Sequence, residues 1–149
     1  MSTRCQVKVI QTGLNWDQEI MLYHHTDGYP SNMIPLIYHA YHYGEDIEPD
    51  WMRPSWQFGR AGKCASYLCW ADPGVFEPEA ENMLHGDIEF YYVIEARTNA
   101  DQFSKPDWIV TVYESGDDWW DVEEHTLDDM KEIKTGHIDE LNKIDWEEE

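Results

Sequence analysis

Between residues 31 and 70 the apolar residues recur every three or four positions, and segments that read as strands flank this stretch. That order constrains the fold most, because strands, then helices, then strands again build a sheet with helices laid on it. Arg4 to Gln11 alternates, with Cys5, Val7 and Val9 on one face of a half-buried strand. Thr12 to Asp17 supplies turn residues, and Glu19 to His24 returns as the hairpin partner. A helix is expected from Ser31 or Asn32 to Tyr43, carried by Ile34, Ile37, Tyr38 and Tyr41, with Pro35 in its first turn and Gly44 as its stop. After an acidic connection over 45–54, Ser55 is expected to cap a second helix reaching Trp70, with Phe58, Ala61, Ala65, Leu68 and Cys69 inside. Residues 73–85 read as a loop, and 87–95 and 108–113 as two long strands. Leu127, Met130 and Ile133 recur every third position, which predicts a short docked helix over 126–134.

The expected order is β-β-α-α-β-β-α. It describes a single α+β domain over 1–149, with about four strands in a mostly antiparallel sheet and helices on one side. Residues 145–149 are expected to fray, so that their deletion leaves the melting temperature nearly unchanged.

Charge bears on function more than on fold. Thirty-one acids against ten bases leave a net of −21, of which residues 71–149 carry −19 and residues 1–70 only −2. With 42% hydrophobic and 14% aromatic residues this is no disordered acidic tail. The charge argues against direct contact with nucleic acid or an anionic membrane, because both need clustered Lys and Arg. No uncharged apolar run is long enough to span a bilayer, and the first residues lack the apolar core of a secretory signal, so a cytoplasmic location is expected. Three cysteines are too few and of the wrong parity for a disulfide scaffold. Cys64 and Cys69, five apart on a helix, face about 140° from each other and are a poor pair for one metal.

Three constellations could carry chemistry. Tyr23-His24-His25-Thr26-Asp27-Gly28-Tyr29-Pro30 ends a strand, turns tightly and feeds a helix start, where imidazoles and a carboxylate could act as acid and base or bind a divalent metal. Adjacent strand residues face opposite ways, so His24 and His25 cannot serve the same ligand without a kink. His85-Gly86-Asp87-Ile88-Glu89 sets His85 and Asp87 on one strand face. Arg53, Arg60 and Lys63 form the one local basic cluster, fit to hold a phosphate or carboxylate, although Gly59 to Cys64 is too short for a nucleotide-triphosphatase loop. His39 and His42 stand three apart on the first helix without the glutamate and spacing of a zinc protease.

The opening Met1-Ser2-Thr3-Arg4-Cys5, the string Tyr23-x-His25-x-Asp27-Gly28-Tyr29-Pro30 and His85-Gly86-Asp87-Ile88-Glu89-Phe90 together resemble a family of small uncharacterised proteins. Its members come from bacterial and archaeal genomes, phages and other mobile elements. The resemblance covers residues 1–30 and 84–96, with Phe90 where the family pattern has Tyr. It implies a genomic setting and no reaction, and it nominates Arg4, His25, Asp27, Tyr29, His85 and Asp87 as one site.

Two functions of different class follow. One is a non-catalytic binding protein, a phage or mobile-element accessory factor that inhibits a host defence nuclease. Its acidic surface (Asp117, Asp118, Asp121, Glu123, Glu124, Asp128 and Asp129, with Trp119, Trp120 and Trp146 as exposed aromatics) would imitate a phosphate backbone and occupy a basic partner. The other is a small enzyme or nucleotide-sequestering pocket on His25, Asp27, His85 and Asp87, with Arg53, Arg60 or Lys63 taking a small anionic ligand. No cofactor is required by either, and a divalent metal is compatible with the second. The second predicts that the two strings meet at one end of the sheet, beside the start of the first helix.

Overall fold

A computed structural model describes residues 3–14, 16–47, 59–98, 106–116, 119–121 and 124–146. β1 (Cys5–Thr12) and β2 (Glu19–His24) form the expected hairpin, in register from Cys5 opposite His24 to Ile10 opposite Glu19. The helices α1 (Pro30–Ile47) and α2 (Ala61–Ala71) follow. Then come β3 (Phe76–Pro78), β4 (Phe90–Arg97), β5 (Asp107–Ser115), β6 (Met130–His137) and a single-turn α3 (Ile138–Leu141). The sheet has six strands in the order β3-β2-β1-β4-β5-β6. Among the described residues only β1 and β4 run parallel; every other neighbouring pair is antiparallel.

The architecture is therefore mixed α+β with a mostly antiparallel sheet, and it departs from four strands in two places. β3 lies inside the segment expected to be loop, where Leu22, Tyr23 and His24 pair with Pro78, Glu77 and Phe76. Pro78 stands at the outer end of this short edge strand, where a missing N–H leaves the ladder intact. The second departure corrects the expected helix over 126–134. Leu127–Asp129 is a single 3-10 turn, and Met130–His137 is an edge strand on β5 with a bulge between Val112 and Tyr113. Thr126 caps that turn reciprocally with Asp129, and the Thr111 and Thr135 hydroxyls bond across the strands at 2.8 Å. The charged, mostly exposed Lys131, Glu132 and Lys134 keep this outer edge from pairing further.

Strand alternation divides the side chains into two layers. Cys5, Val7, Val9, Leu22, Tyr92, Ile94, Ala96, Trp108, Val110 and Val112 face the helices and are fully buried apart from traces. From α1, Met33, Ile34, Ile37 and Ala40 meet them, and from α2, Cys64 and Leu68. Each such buried aliphatic side chain is worth about 1.5–3 kcal/mol, so this layer carries most of the fold's stability. The helices thus cover one side of the sheet, as expected. α1 begins at Pro30 and runs past Gly44 to Ile47, so Pro35 sits in its second turn and leaves the Ser31 carbonyl without an i+4 donor. α2 begins at Ala61; the expected cap Ser55, the inner-face Phe58 and the basic Arg53 lie outside the described residues.

The other sheet face is covered by chain rather than by helices. To pass from β3 at one edge to β4 beyond β1, residues 79–89 cross that face as a strap. Ile88 and Leu84 from the strap pack with Met21, Tyr23, Tyr91 and Trp119 in a second, smaller cluster. Gln6, fully buried on β1, pins the strap: its amide nitrogen donates to the Met83 carbonyl at 2.8 Å, and its oxygen accepts from the His85 N–H at 2.9 Å. Among the described residues no helix is long and apolar enough to cross a membrane.

Candidate functional site

The strand-to-helix turn is built first. After β2, Asp27 adopts φ 52°, a left-handed conformation that a short polar side chain tolerates. Gly28 then runs against the start of β1, where an added Cβ would stand 2.8 Å from Cys5 Cβ, so no larger residue fits. Its N–H donates to the Thr3 carbonyl at 2.9 Å, and the fully buried Tyr92 hydroxyl donates to its carbonyl at 2.6 Å. The Glu89 N–H donates to the Arg4 carbonyl at 2.9 Å. These bonds bring the starts of β1 and β4, the end of β2 and the start of α1 together at one end of the sheet.

An open cleft of about 400 Å³ lies at that end on the strap side. Tyr23 forms its floor, with the His25 ring edge-on at 4.6 Å and the His85 ring edge-on at 5.1 Å. The Tyr23 hydroxyl donates to Asp87 at 2.5 Å, and Arg4 Nε lies 3.7 Å from the same carboxylate oxygen. Burial first, and then this bond and the Asp87 charge, push the Tyr23 phenol well above the ordinary tyrosine range. Tyr23 is therefore held as a neutral donor that positions Asp87. Two glutamates complete the cleft. His25 Nε2 bonds Glu77 on β3 at 2.8 Å, and His85 Nε2 bonds Glu79 just beyond β3 at 2.5 Å. A carboxylate can only accept, so each imidazole donates from Nε2 and leaves Nδ1 outside the pair.

Of the residues nominated from sequence, Arg4, His25, His85 and Asp87 line this cleft together. Asp27 and Tyr29 stay on the turn beside it, bonded to each other at 3.3 Å, and the Asp27 carboxylate raises the Tyr29 phenol. His24 turns to the opposite face, fully buried, with Nε2 2.7 Å from Asp72 and its ring against Phe76. Arg60 and Lys63 do not reach the cleft, which corrects their expected part in it. They open α2, whose Ala61 N–H donates to Gln11 near the far end of β1, about 20 Å of strand away. Lys63 lies over the Tyr67 ring at 5.9 Å. His42 pairs with Asp139 at 2.7 Å and so ties α1 to α3.

Tyr23, Glu77 and Glu79 were not singled out by sequence. The signal for Tyr23 was present, since it shares a strand face with His25; the two glutamates belong to a strand that no pattern announced. Both imidazole Nε2 atoms are engaged by glutamates, and among the described residues no three His, Cys, Asp or Glu side chains converge on a position for an ion.

The acidic surface is altered by the packing. Trp119 is fully buried and Trp146 is 6% exposed, which corrects their reading as surface aromatics, while Trp120 is 63% exposed. Asp129 is occupied in capping Thr126. Glu124 and Asp128 are exposed, Asp121 closes the 3-10 turn Trp119–Asp121, and Asp117, Asp118 and Glu123 lie outside the described residues. Comparisons with family models, curated proteins and solved structures returned no match.

Proposed function

We propose that this protein binds a small polar molecule in the cleft around Tyr23 and moves protons on it. The carrying observation is that Arg4, His25, His85 and Asp87 converge there from separate segments, with both histidines oriented by glutamates. In this reading one imidazole takes a proton from the substrate while the other, protonated, returns one. Each glutamate fixes its ring and stabilises the imidazolium that forms. Arg4 meets a carbonyl or anionic oxygen, and Asp87 accepts a substrate hydroxyl or amine. The test is ligand-observed NMR against a library of small polar metabolites. A hit should shift the His25 and His85 ring resonances, leave those of His42 and His137 unmoved, and be lost in His85→Ala. Hits that bind equally to His85→Ala would sink the proposal. A metal-dependent version of the same reaction would need rearranged ligands, and elemental analysis finding below about a tenth of an equivalent of any metal removes it.

A second reading, the nucleic-acid-mimicking inhibitor of a basic nuclease, is supported by the −21 charge and by the exposed Trp120 beside acidic residues. It requires affinity for a basic effector that falls steeply with salt, and affinity indifferent to salt counts against it.

A further inference from the structure

A second cleft, of about 450 Å³, opens across the strap from the first, where the strap and the segment 124–127 leave part of the sheet uncovered. We propose that this cleft is a separate binding site for an organic cation with a flat apolar body, of the arylalkylamine class.

The lining supplies the apolar half of the argument. Met21 and Tyr91 are buried at the sheet, and Leu84 closes one side. Met83 and Leu127 stand at the cleft 61% and 44% exposed, the state of large apolar side chains that a ligand would cover. Thioethers beside an aromatic ring adapt to a planar guest, and the Tyr91 face is attractive to a cation. Burial pushes the Tyr91 phenol upward, so the ring stays neutral.

Charge supplies the other half. The cleft holds one ammonium, Lys8, one carboxylate, Glu124, and the His125 imidazole, whose Nε2 is taken by the Trp119 carbonyl. Lys8 is already neutralised by Glu19 at 3.2 Å, while no ion pair engages Glu124 among the described residues. An anionic guest would have to displace Glu19, whereas a cation meets a carboxylate that no described residue pairs. The net charge of −21 draws the same sign of ligand. The walls are firm: Gln6 pins the strap, and His125 bonds the Trp119 carbonyl at 2.9 Å while its ring packs on Trp119 at 4.3 Å.

The probes are tryptamine and indole-3-acetate, which share a ring and differ in charge, titrated into the full chain carrying ¹³C-methyl methionine. Tryptamine should saturate and shift the Met21 and Met83 methyls, with indole-3-acetate weaker by about tenfold or more. Glu124→Gln should remove most of that preference, and Leu127→Ser should weaken both probes. Glu140→Gln, an equal change of charge on α3, should alter tryptamine binding less than about twofold. Equal binding of the two indoles overturns the proposal, as does a tryptamine affinity unchanged in Glu124→Gln, or no saturation below about 5 mM. His85→Ala, which disables the first cleft, should leave tryptamine binding intact, so the two sites fail independently.

Discussion

At the scale of single residues, Tyr23 does the most for the site. It separates the two imidazoles and donates to Asp87, and burial against that carboxylate raises its phenol above the ordinary value. Raised in the folded state, this acid holds its proton more tightly there than in the unfolded chain. Its contribution is therefore complete below roughly pH 10, the unfolded tyrosine value, and is lost as pH rises above it. Tyr91 and Tyr113 are shifted the same way, chiefly by burial. A spectrophotometric titration at alkaline pH should show these tyrosines ionising late, together with loss of the folded circular-dichroism signal. Tyr23→Phe should remove one late-titrating group and cost about 0.5–1.5 kcal/mol, the net worth of one hydrogen bond, because water can replace the donor on the exposed Asp87. Normal early titration of every tyrosine would contradict the packing. Gly28 belongs to this scale as well. Gly28→Ala forces a Cβ into Cys5 and the Arg4 backbone, and should cost about 1–3 kcal/mol in urea melts while loosening the cleft.

At the scale of elements, the tail behaves differently from its composition. Residues 114–149 carry fifteen acids and three bases, yet Ile138, Leu141 and Trp146 are part of the helix-side core. The Trp146 indole N–H donates to the Leu141 carbonyl at 2.9 Å and so closes the chain over α3. The expected indifference to deletion of 145–149 is thereby replaced. Trp146→Ala should lower unfolding free energy by about 3–5 kcal/mol, measured by denaturant midpoint, and deletion of 145–149 should cost about as much. A truncation without loss of stability would mean that Trp146 is not packed as described. β6 teaches a related lesson. Leu127, Met130 and Ile133 have helical spacing, but Ile133 and Thr135 are β-branched, Gly136 is a poor helix former, and β5 offers an unpaired edge. The edge outweighs a weak period.

For the molecule as a whole, the net charge of −21 sets a measurable field. Self-repulsion opposes the compact state and is screened beyond about 10 Å at 0.1 M salt, so the melting temperature should rise from low to moderate sodium chloride. A flat or falling dependence would mean that local ion pairs such as Lys8–Glu19 outweigh the repulsion.

What could be read from sequence was whatever shows a period or a local turn. The alternation of Cys5, Val7 and Val9, the spacing of Ile34, Ile37 and Tyr41, and the Asp27-Gly28 turn each carry their structure within a few residues. With the apolar runs of β4 and β5, these are enough for the first hairpin, the first helix, those two long strands and the α+β class. The gathering of Arg4, His25, His85 and Asp87 was legible only as a pooling of two strings, since no local rule measures the distance between them. Tertiary structure decided the parallel pairing of β1 with β4, both edge strands, the strap, and the choice of Glu77 and Glu79 as partners for the histidines. The physical reason is that edge strands are selected by backbone groups on a neighbouring strand, which leave no imprint on side-chain periodicity. In the same way, an exposed glutamate becomes part of a site only when the fold brings an imidazole within 3 Å of it.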